Sequence, residues 1–523
     1  MSRQIIKRES FYRDSNYAEW ADPEDLKKIS TLTKIHLTEK ECNATGFPII
    51  SDGYTAYVDN SDTHTLIFGN TGSKKTRLFG MPLINIFALG GESFIVTDPK
   101  GELYAKTSGF VASKGYKPIV LNFRTMTQSA MWNPLLIPYQ LYHNGEVDEA
   151  ISMLNDFLSV LAAPQRKGKQ DPYWIDLGYS LALSLMLFFI ETATMEEANI
   201  NSFINFFATY SSPENAEKIA KVMVEGSVAS LNIKAVMTTV SAEKTFGNIA
   251  STAASMFNQF IIQKSLCQLL SKSSIDLRQI GKEKSAVYII VPDEKDTLHF
   301  MVSIFVKQIY EILISEAQKE NKKRLPVRLN FLLDEFGNIP TIPNMPSMIT
   351  AARSRNIRFF LMTQGIFQLN KKYKNEVETF IGNCDNLVFL SSKEPALLKM
   401  ISDLCGYTNK ERIEDGITSK EPLITTFGLQ SLSKEWDKSE VLIKHCRELP
   451  FMSVLPDIDW YGFETYPPID MDNTVLPEIT LYNAANVLSE IYDHKRPLPF
   501  SMEVYGEAKF YEGPKIDADF YDW

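Results

Sequence analysis

The octet Gly69-Asn70-Thr71-Gly72-Ser73-Lys74-Lys75-Thr76 has the glycines, lysine and hydroxyl of a phosphate-binding loop. In such a loop, backbone N–H groups and a helix N-terminus surround the phosphates. A lysine reaches the terminal ones and a hydroxyl holds magnesium. Lys75 and Thr76 fill those last two roles. The consensus wants glycine just before the lysine, and Lys74 stands there. A β-carbon at that point either clashes or redirects the loop. The octet alone leaves two readings level: a phosphate cradle, or a turn with a basic helix start. A second lysine beside the phosphates either compensates electrostatically or marks a weakened site.

Asp334-Glu335 ends the apolar run LNFLLDE. Carboxylates at the C-terminal end of a buried strand lie where α/β sheets bind ligands. Asp334 is placed to hold magnesium through water, and Glu335 to polarise an attacking water. The bland alternative is a strand end turning into solvent. Gln364 ends the next run, IRFFLMTQ, either as a γ-phosphate sensor or as a strand-capping amide. Residues 351–375 hold Arg353, Arg355, Arg358, Lys371, Lys372 and Lys374 and no acid. Arg353 or Arg355 could complete a neighbouring subunit's site, as arginine fingers do. The lysines with Tyr373 could face DNA phosphates. An ordinary solvated face is the simpler reading of any one of them.

These residues need a sheet to position them. THTLIFG (63–69), SFIVTD (93–98) and PIVLNF (118–123) read as buried strands separated by helical patterns. That β-α-β-α-β series predicts a parallel sheet. From Leu141 to Leu277 the pattern turns helical, with a basic, turn-rich loop at Pro164–Lys169. Strands resume at SAVYIIVPD (285–293), LNFLLDE (329–335), IRFFLMTQ (357–364) and NLVFLSS (386–392). The expected division is an N-terminal extension (1–50), the first part of a nucleotide domain (51–140), an inserted all-α domain (141–283), the second part of the nucleotide domain (284–456) and an acidic, aromatic-rich C-terminal extension (457–523).

The 523 residues exceed what one core serves. Five cysteines and six histidines are scattered, with no CxxC or HExxH, which argues against zinc sites and disulfides. The net charge of −10 sits in the tail, where residues 457–523 hold 14 acidic and 4 basic side chains. That acidity leaves a nucleic-acid surface open elsewhere. The tail's aromatics fit docking on a protein partner, or packing of LPEITLYNAANVLSEIY on the chain's own core. The apolar run Leu181 to Ile190 is about half the roughly 18 residues of a membrane span and reads as a buried helix. No signal-like segment opens the sequence, so a cytoplasmic place is expected.

Several segments together resemble the type IV coupling proteins, the TraG/TraD-type ATPases of conjugation. They are TDPKGELYAKTSGFVASKGYKPIVLNF (97–123) with MWNPL (131–135), DPYW (171–174), LLDEFGNIPTIPNMPSMITAARSRNI (332–357), MTQGIFQLNKKYK (362–374) and IGNCDNLVFLSS (381–392). The resemblance spans roughly residues 55–410 in order. It implies a RecA-like P-loop NTPase domain with an inserted all-α domain. It further implies ATP and Mg2+ as cofactors, a homo-hexamer, and DNA passed with its relaxase to a type IV secretion channel. It carries over onto Lys75, Thr76, Asp334, Glu335 and Gln364, with Asp98 and Lys100 in the surroundings. Two departures stand out: Lys74 in place of glycine, and no N-terminal transmembrane helices. The second implies a separate anchor protein at the inner face of the membrane, or work away from it. A nucleotide-binding adaptor without turnover and a soluble HerA/FtsK-like DNA motor are the alternatives.

Overall fold

The computed structural model describes residues 18–166, 171–239, 243–261, 263–292, 294–411 and 418–513. Strands β1 (Leu32–His36), β2 (Phe47–Ser51) and β3 (Thr55–Asp59) form a small antiparallel sheet in the order β1-β3-β2. The sequence did not betray them. β1 buries only Leu32 and Ile35, so its apolar signal is sparse. The boundary expected at residue 50 falls inside β2.

The main strands then follow the expected series. They are β4 (Thr65–Gly69), β5 (Ser93–Thr97), β6 (Pro118–Asn122), β7 (Ala286–Ile290), β8 (Leu329–Leu333), β9 (Ile357–Thr363) and β10 (Asn386–Ser391). They lie parallel in the order β10-β4-β9-β8-β5-β7-β6. Central strands such as β4, β8 and β9 are buried at every residue, and they read as continuous apolar runs because both sheet faces are covered. After β11 (Tyr407–Glu411) and β12 (Thr418–Pro422), which pair with each other, come β13 (Lys438–His445) and β14 (Phe451–Pro456). These two add antiparallel to β10 and extend the sheet to nine strands.

Alternate residues of each strand enter opposite cores. Ile67, Phe94 and Val96 pack with Phe79, Phe87 and Phe110 from the helices that follow β4 and β5. Leu66, Phe68 and Ile95 face the other core, shared with helix His299–Lys319 and the helical region.

That helical region stands between β6 and β7. Its helix Pro172–Thr192 is 21 residues long, with mean hydropathy 1.6 over its most apolar window, and by length and composition could cross a membrane. This exceeds the short run expected, because Gly178 and Ser180 continue the helix where the apolar count stops. Two thirds of that window is buried (67%), and Ser184 Oγ donates to the Ala229 carbonyl at 2.7 Å. It is the central helix of this region, packed against helices Val228–Thr239 and Glu243–Ser255. The loop expected at Pro164–Lys169 is partly helix: Val147–Arg166 runs through Pro164, and residues 167–170 lie outside the described residues.

The C-terminal segment lies along the molecule. Thr474 N–H donates to Thr127 O at 2.6 Å, and Asn199 donates to Thr480 O at 3.0 Å. Helix Ala484–Tyr492 buries Val487, Leu488, Ile491 and Tyr492 in the core of the helical region. This is the own-core packing expected for LPEITLYNAANVLSEIY. The aromatics Phe520, Tyr521 and Trp523 lie outside the described residues.

Candidate active site

The octet 69–76 links β4 to a helix that starts at Thr76 with a π turn (Thr76–Gly80) and continues as Met81–Leu89. No side chain caps that start, so its first N–H groups stay open to an anion. Gly72 has φ +79, a conformation glycine adopts without cost. A Cβ on Gly69 would lie 2.4 Å from Ser73 Oγ and 3.0 Å from Lys75 Cγ, so these loop side chains would have to shift. Ser73 Oγ is buried and has no hydrogen-bond partner, which fits a phosphate oxygen against the loop.

Lys74 has φ +66, a left-handed backbone that glycine adopts without cost. Its side chain turns away from the cradle. Nζ donates to the carbonyls of Glu435 (2.8 Å) and Trp436 (2.9 Å) and pairs with Asp457 at 3.0 Å. Arg77 Nε donates to both Asp457 oxygens at 2.9 and 3.0 Å, and Arg77 Nη2 pairs with Asp459 at 2.5 Å. Burial pushes the Asp457 carboxyl upward, but the hydrogen bonds from Arg77 and Lys74 outweigh it and hold it below its ordinary value. Lys434 donates to the Gly72 carbonyl from the same side.

The strand order brings the other residues in. β9 lies between β4 and β8, so the three C-terminal ends are adjacent. Thr76 Oγ1 donates to Asp334 Oδ2 at 2.9 Å. Lys75 Nζ donates to Gly69 O at 2.6 Å and lies 3.7 Å from Glu335 Oε1. Gln364 Nε2 donates to Glu335 Oε2 at 3.0 Å. Glu335 itself has φ +50, a left-handed backbone that aims its carboxylate from the strand end. Burial raises the Asp334 carboxyl above its ordinary value, and the Glu335 charge adds to this, against Lys75 and the Thr76 hydroxyl. Asp98, at the end of β5, is pushed up to about 6, chiefly by burial. It accepts from the Tyr104 N–H at 2.8 Å and so caps the helix Glu102–Ser113. Lys100 is exposed beside it.

The remaining candidates lie elsewhere. Arg353 and Arg355 precede β9, at the opposite sheet edge, roughly 20 Å of strand from Gln364. Arg353 pairs with Asp385, and Arg355 donates to Lys323 O at 3.2 Å. Two members of the expected basic surface are in fact core. Arg358 is buried against Glu92 at 2.6 Å, and Tyr373 stacks on Phe336. The 351–375 run contains no acid, and Arg358's partner Glu92 is distant in sequence, which no local count reveals. Sequence reasoning also missed Arg77 and Asp457. Arg77 adjoins the octet, but nothing in the spacing marks Asp457.

Residues 19–426 match the family model described as type IV secretory system conjugative DNA transfer. The chain belongs to this family. Two Escherichia coli proteins named conjugal transfer protein TraG are 25% and 24% identical to it over 403 and 402 residues. Each match covers 70% of this chain and 60% of the relative, so the chain spans well under the full length of those relatives. Solved structures share the fold. The bacterial conjugative coupling protein TrwBdeltaN70 with sulphate aligns at TM-score 0.60 and 14% identity, over 87% of this chain and 96% of that one. Plasmid coupling protein TrwB with ADP and Mg2+ aligns at 0.60 and 13%, over 87% and 96%. Its complex with the ATP analogue ADPNP aligns at 0.60 and 13%, over 88% and 97%. The chain therefore has the RecA-like α/β fold of these coupling proteins.

Proposed function

We propose that this chain is an ATPase that recruits relaxase-bound DNA and pumps it toward a type IV secretion channel. It works as a homo-hexamer on the cytoplasmic side, at the inner face of the membrane. The observation that carries the reading is the convergence of Lys75, Thr76, Asp334, Glu335 and Gln364 at one sheet edge, with Thr76 Oγ1 2.9 Å from Asp334. The TrwB complexes with ADP and Mg2+ and with ADPNP support the choice of nucleotide.

The loop Gly69 to Thr76 cradles the phosphates through its backbone N–H groups, with Ser73 Oγ as a further donor. Lys75 exchanges its bond to the Gly69 carbonyl for the terminal phosphates. Thr76 and Asp334 would hold Mg2+, which would supply charge shielding for the phosphoryl oxygens. Glu335 accepts a proton from the attacking water. Gln364, hydrogen-bonded to Glu335, fixes that carboxylate and reads the γ-phosphate. Arg353 and Arg355, at the far edge, serve only a neighbouring subunit's site. Lys371 and Lys374, exposed on and just after helix Ile366–Tyr373, offer cations to DNA phosphates. Lys74 leaves the cradle clear, which favours turnover over a nucleotide-blind adaptor.

The test is phosphate release by purified protein with ATP and Mg2+, with and without DNA. DNA-stimulated release is expected, abolished by Lys75→Ala. Glu335→Gln should cut it at least about a hundredfold while ATP still binds. Absence of nucleotide binding in the wild type overturns the reading.

A further inference from the structure

We propose that Trp436 and Trp460 form the stacking surface for the base of the nucleotide, and that Lys74 positions it. This rests on the nucleotide reading of the phosphate loop and adds the residues that meet the base.

The argument begins with direction. Glu335 and Gln364 mark the γ end, and they sit just past the C-terminal ends of β8 and β9, on one side of β4. The nucleoside end of a phosphate chain held at this loop leaves on the other side. There lie β10, β13 and β14. β13 runs antiparallel to β10, so the residues just before Lys438 stand at the same sheet edge as the loop. Pro456 pairs with Lys438, so the residues just after β14 stand there too.

Both segments grip the loop. Lys434 donates to Gly72 O, and Lys74 donates to the carbonyls of Glu435 and Trp436. Asp457 and Asp459 hold Arg77, and Asp457 also holds Lys74. Each segment carries a tryptophan, and the two indoles meet at 5.0 Å and 72°. They are 74% and 48% exposed. Paired large aromatics open to solvent beside a phosphate cradle offer a π-face to a planar ring. Such stacking contributes about 1–3 kcal/mol per base and discriminates weakly among bases, because every base has a π-face. The ligand class is therefore nucleoside di- and triphosphates, with little preference for the base. Lys74, the residue that departs from the consensus, gains a purpose: its Nζ fixes the backbone that carries Trp436.

The test is calorimetric binding, with Mg2+ present, of ATP, GTP and inorganic triphosphate to wild type, Trp436→Ala, Trp460→Ala and Lys75→Ala. Thermal melts check folding, and exposed indoles can be truncated without opening a core. Each tryptophan variant should raise the Kd of ATP and GTP about tenfold, a value within the stacking range, and leave that of triphosphate unchanged. ATP should quench the tryptophan fluorescence of the wild type, and triphosphate should not. Unchanged ATP affinity in both tryptophan variants, with Lys75→Ala weakened, overturns this inference alone and points to a contact between subunits. Equal losses for ATP and triphosphate also overturn it, since the residues then only brace the loop. A wild type that binds neither overturns this inference and the nucleotide reading together.

Discussion

Replacing Lys74 separates the backbone cost of this residue from the contacts that offset it. At φ +66 a side chain costs about 1–2 kcal/mol relative to glycine. Against that stand the pair with Asp457, whose side chain is only 2% exposed, and bonds to two carbonyls. Asp457 keeps Arg77 when Lys74 is lost, so it is not stranded as an unpaired buried charge. The loss is then that of a charge-assisted bond, about 2–3 kcal/mol. Lys74→Met keeps the backbone strain and should lose roughly that much. Lys74→Gly relieves the strain and should lose only about 1 kcal/mol. Urea unfolding followed by tryptophan fluorescence measures both, and a double-mutant cycle with Asp457→Asn isolates the pair. The reasoning fails if Lys74→Gly is more stable than the wild type and the cycle shows no coupling.

Three further outcomes follow from particular contacts. Gly69→Ala should reduce nucleotide affinity at least about tenfold, since its Cβ would meet Ser73 Oγ at 2.4 Å and Lys75 Cγ at 3.0 Å. Gly72→Ala has no atom within 4 Å of the new Cβ and should cost only about 1 kcal/mol of backbone strain; equal binding losses would refute the distinction. Burial lowers the His64 imidazole from 6.5 to about 4, and His64 Nδ1 accepts the Phe359 N–H at 3.0 Å, a bond that only the neutral ring can accept. Because the folded value lies below the unfolded one, this stabilisation is full above pH 6.5 and is lost as pH falls toward 4. His64→Gln should therefore narrow the stability gap between pH 7 and pH 4.5 by about 2 kcal/mol, read from urea midpoints; an unchanged gap would refute it. Truncation after residue 476 removes Val487, Leu488, Ile491 and Tyr492 from the helical core and should lower the melting temperature by at least about 5 °C, whereas an identical melt would show that the segment is only laid on the surface.

The strands that carry the site were legible because a parallel sheet covered on both faces demands unbroken apolar runs, and Gly69, Asp334 and Gln364 each mark where such a run ends. The small sheet β1-β3-β2 was not legible, since β1 exposes much of its length and the stretch around it is polar. Charge was the least legible property. Arg358 and Arg353 look alike in the sequence, but the first points to Glu92 within the fold and the second to Asp385 at its rim. Lys74 shows the same limit within one loop. Spacing located it at the glycine position, but only Glu435, Trp436 and Asp457, more than 350 residues on, decide which way it points.

Asp457 is also where the C-terminal segment begins, and this ties two regions together. From Asp457 at the loop, the chain passes Thr474, held by Thr127 and Ser129, then Pro477 on Gln268 and Thr480 on Asn199. It ends in helix Ala484–Tyr492, buried in the helical region, with Tyr482 OH 2.6 Å from Thr192 on that region's central helix. Each hold is a hydrogen bond or a packed side chain, so the segment has little slack. A displacement of Lys74 or Arg77 that moves Asp457 must be absorbed between residues 457 and 474 or passed to the helices. Packed helices do not deform continuously. The first stretch is held as well: Gly462 N–H donates to Gly53 O at 2.8 Å, Ile469 N–H donates to Ser108 Oγ at 3.1 Å, and Tyr461 is buried on the small sheet.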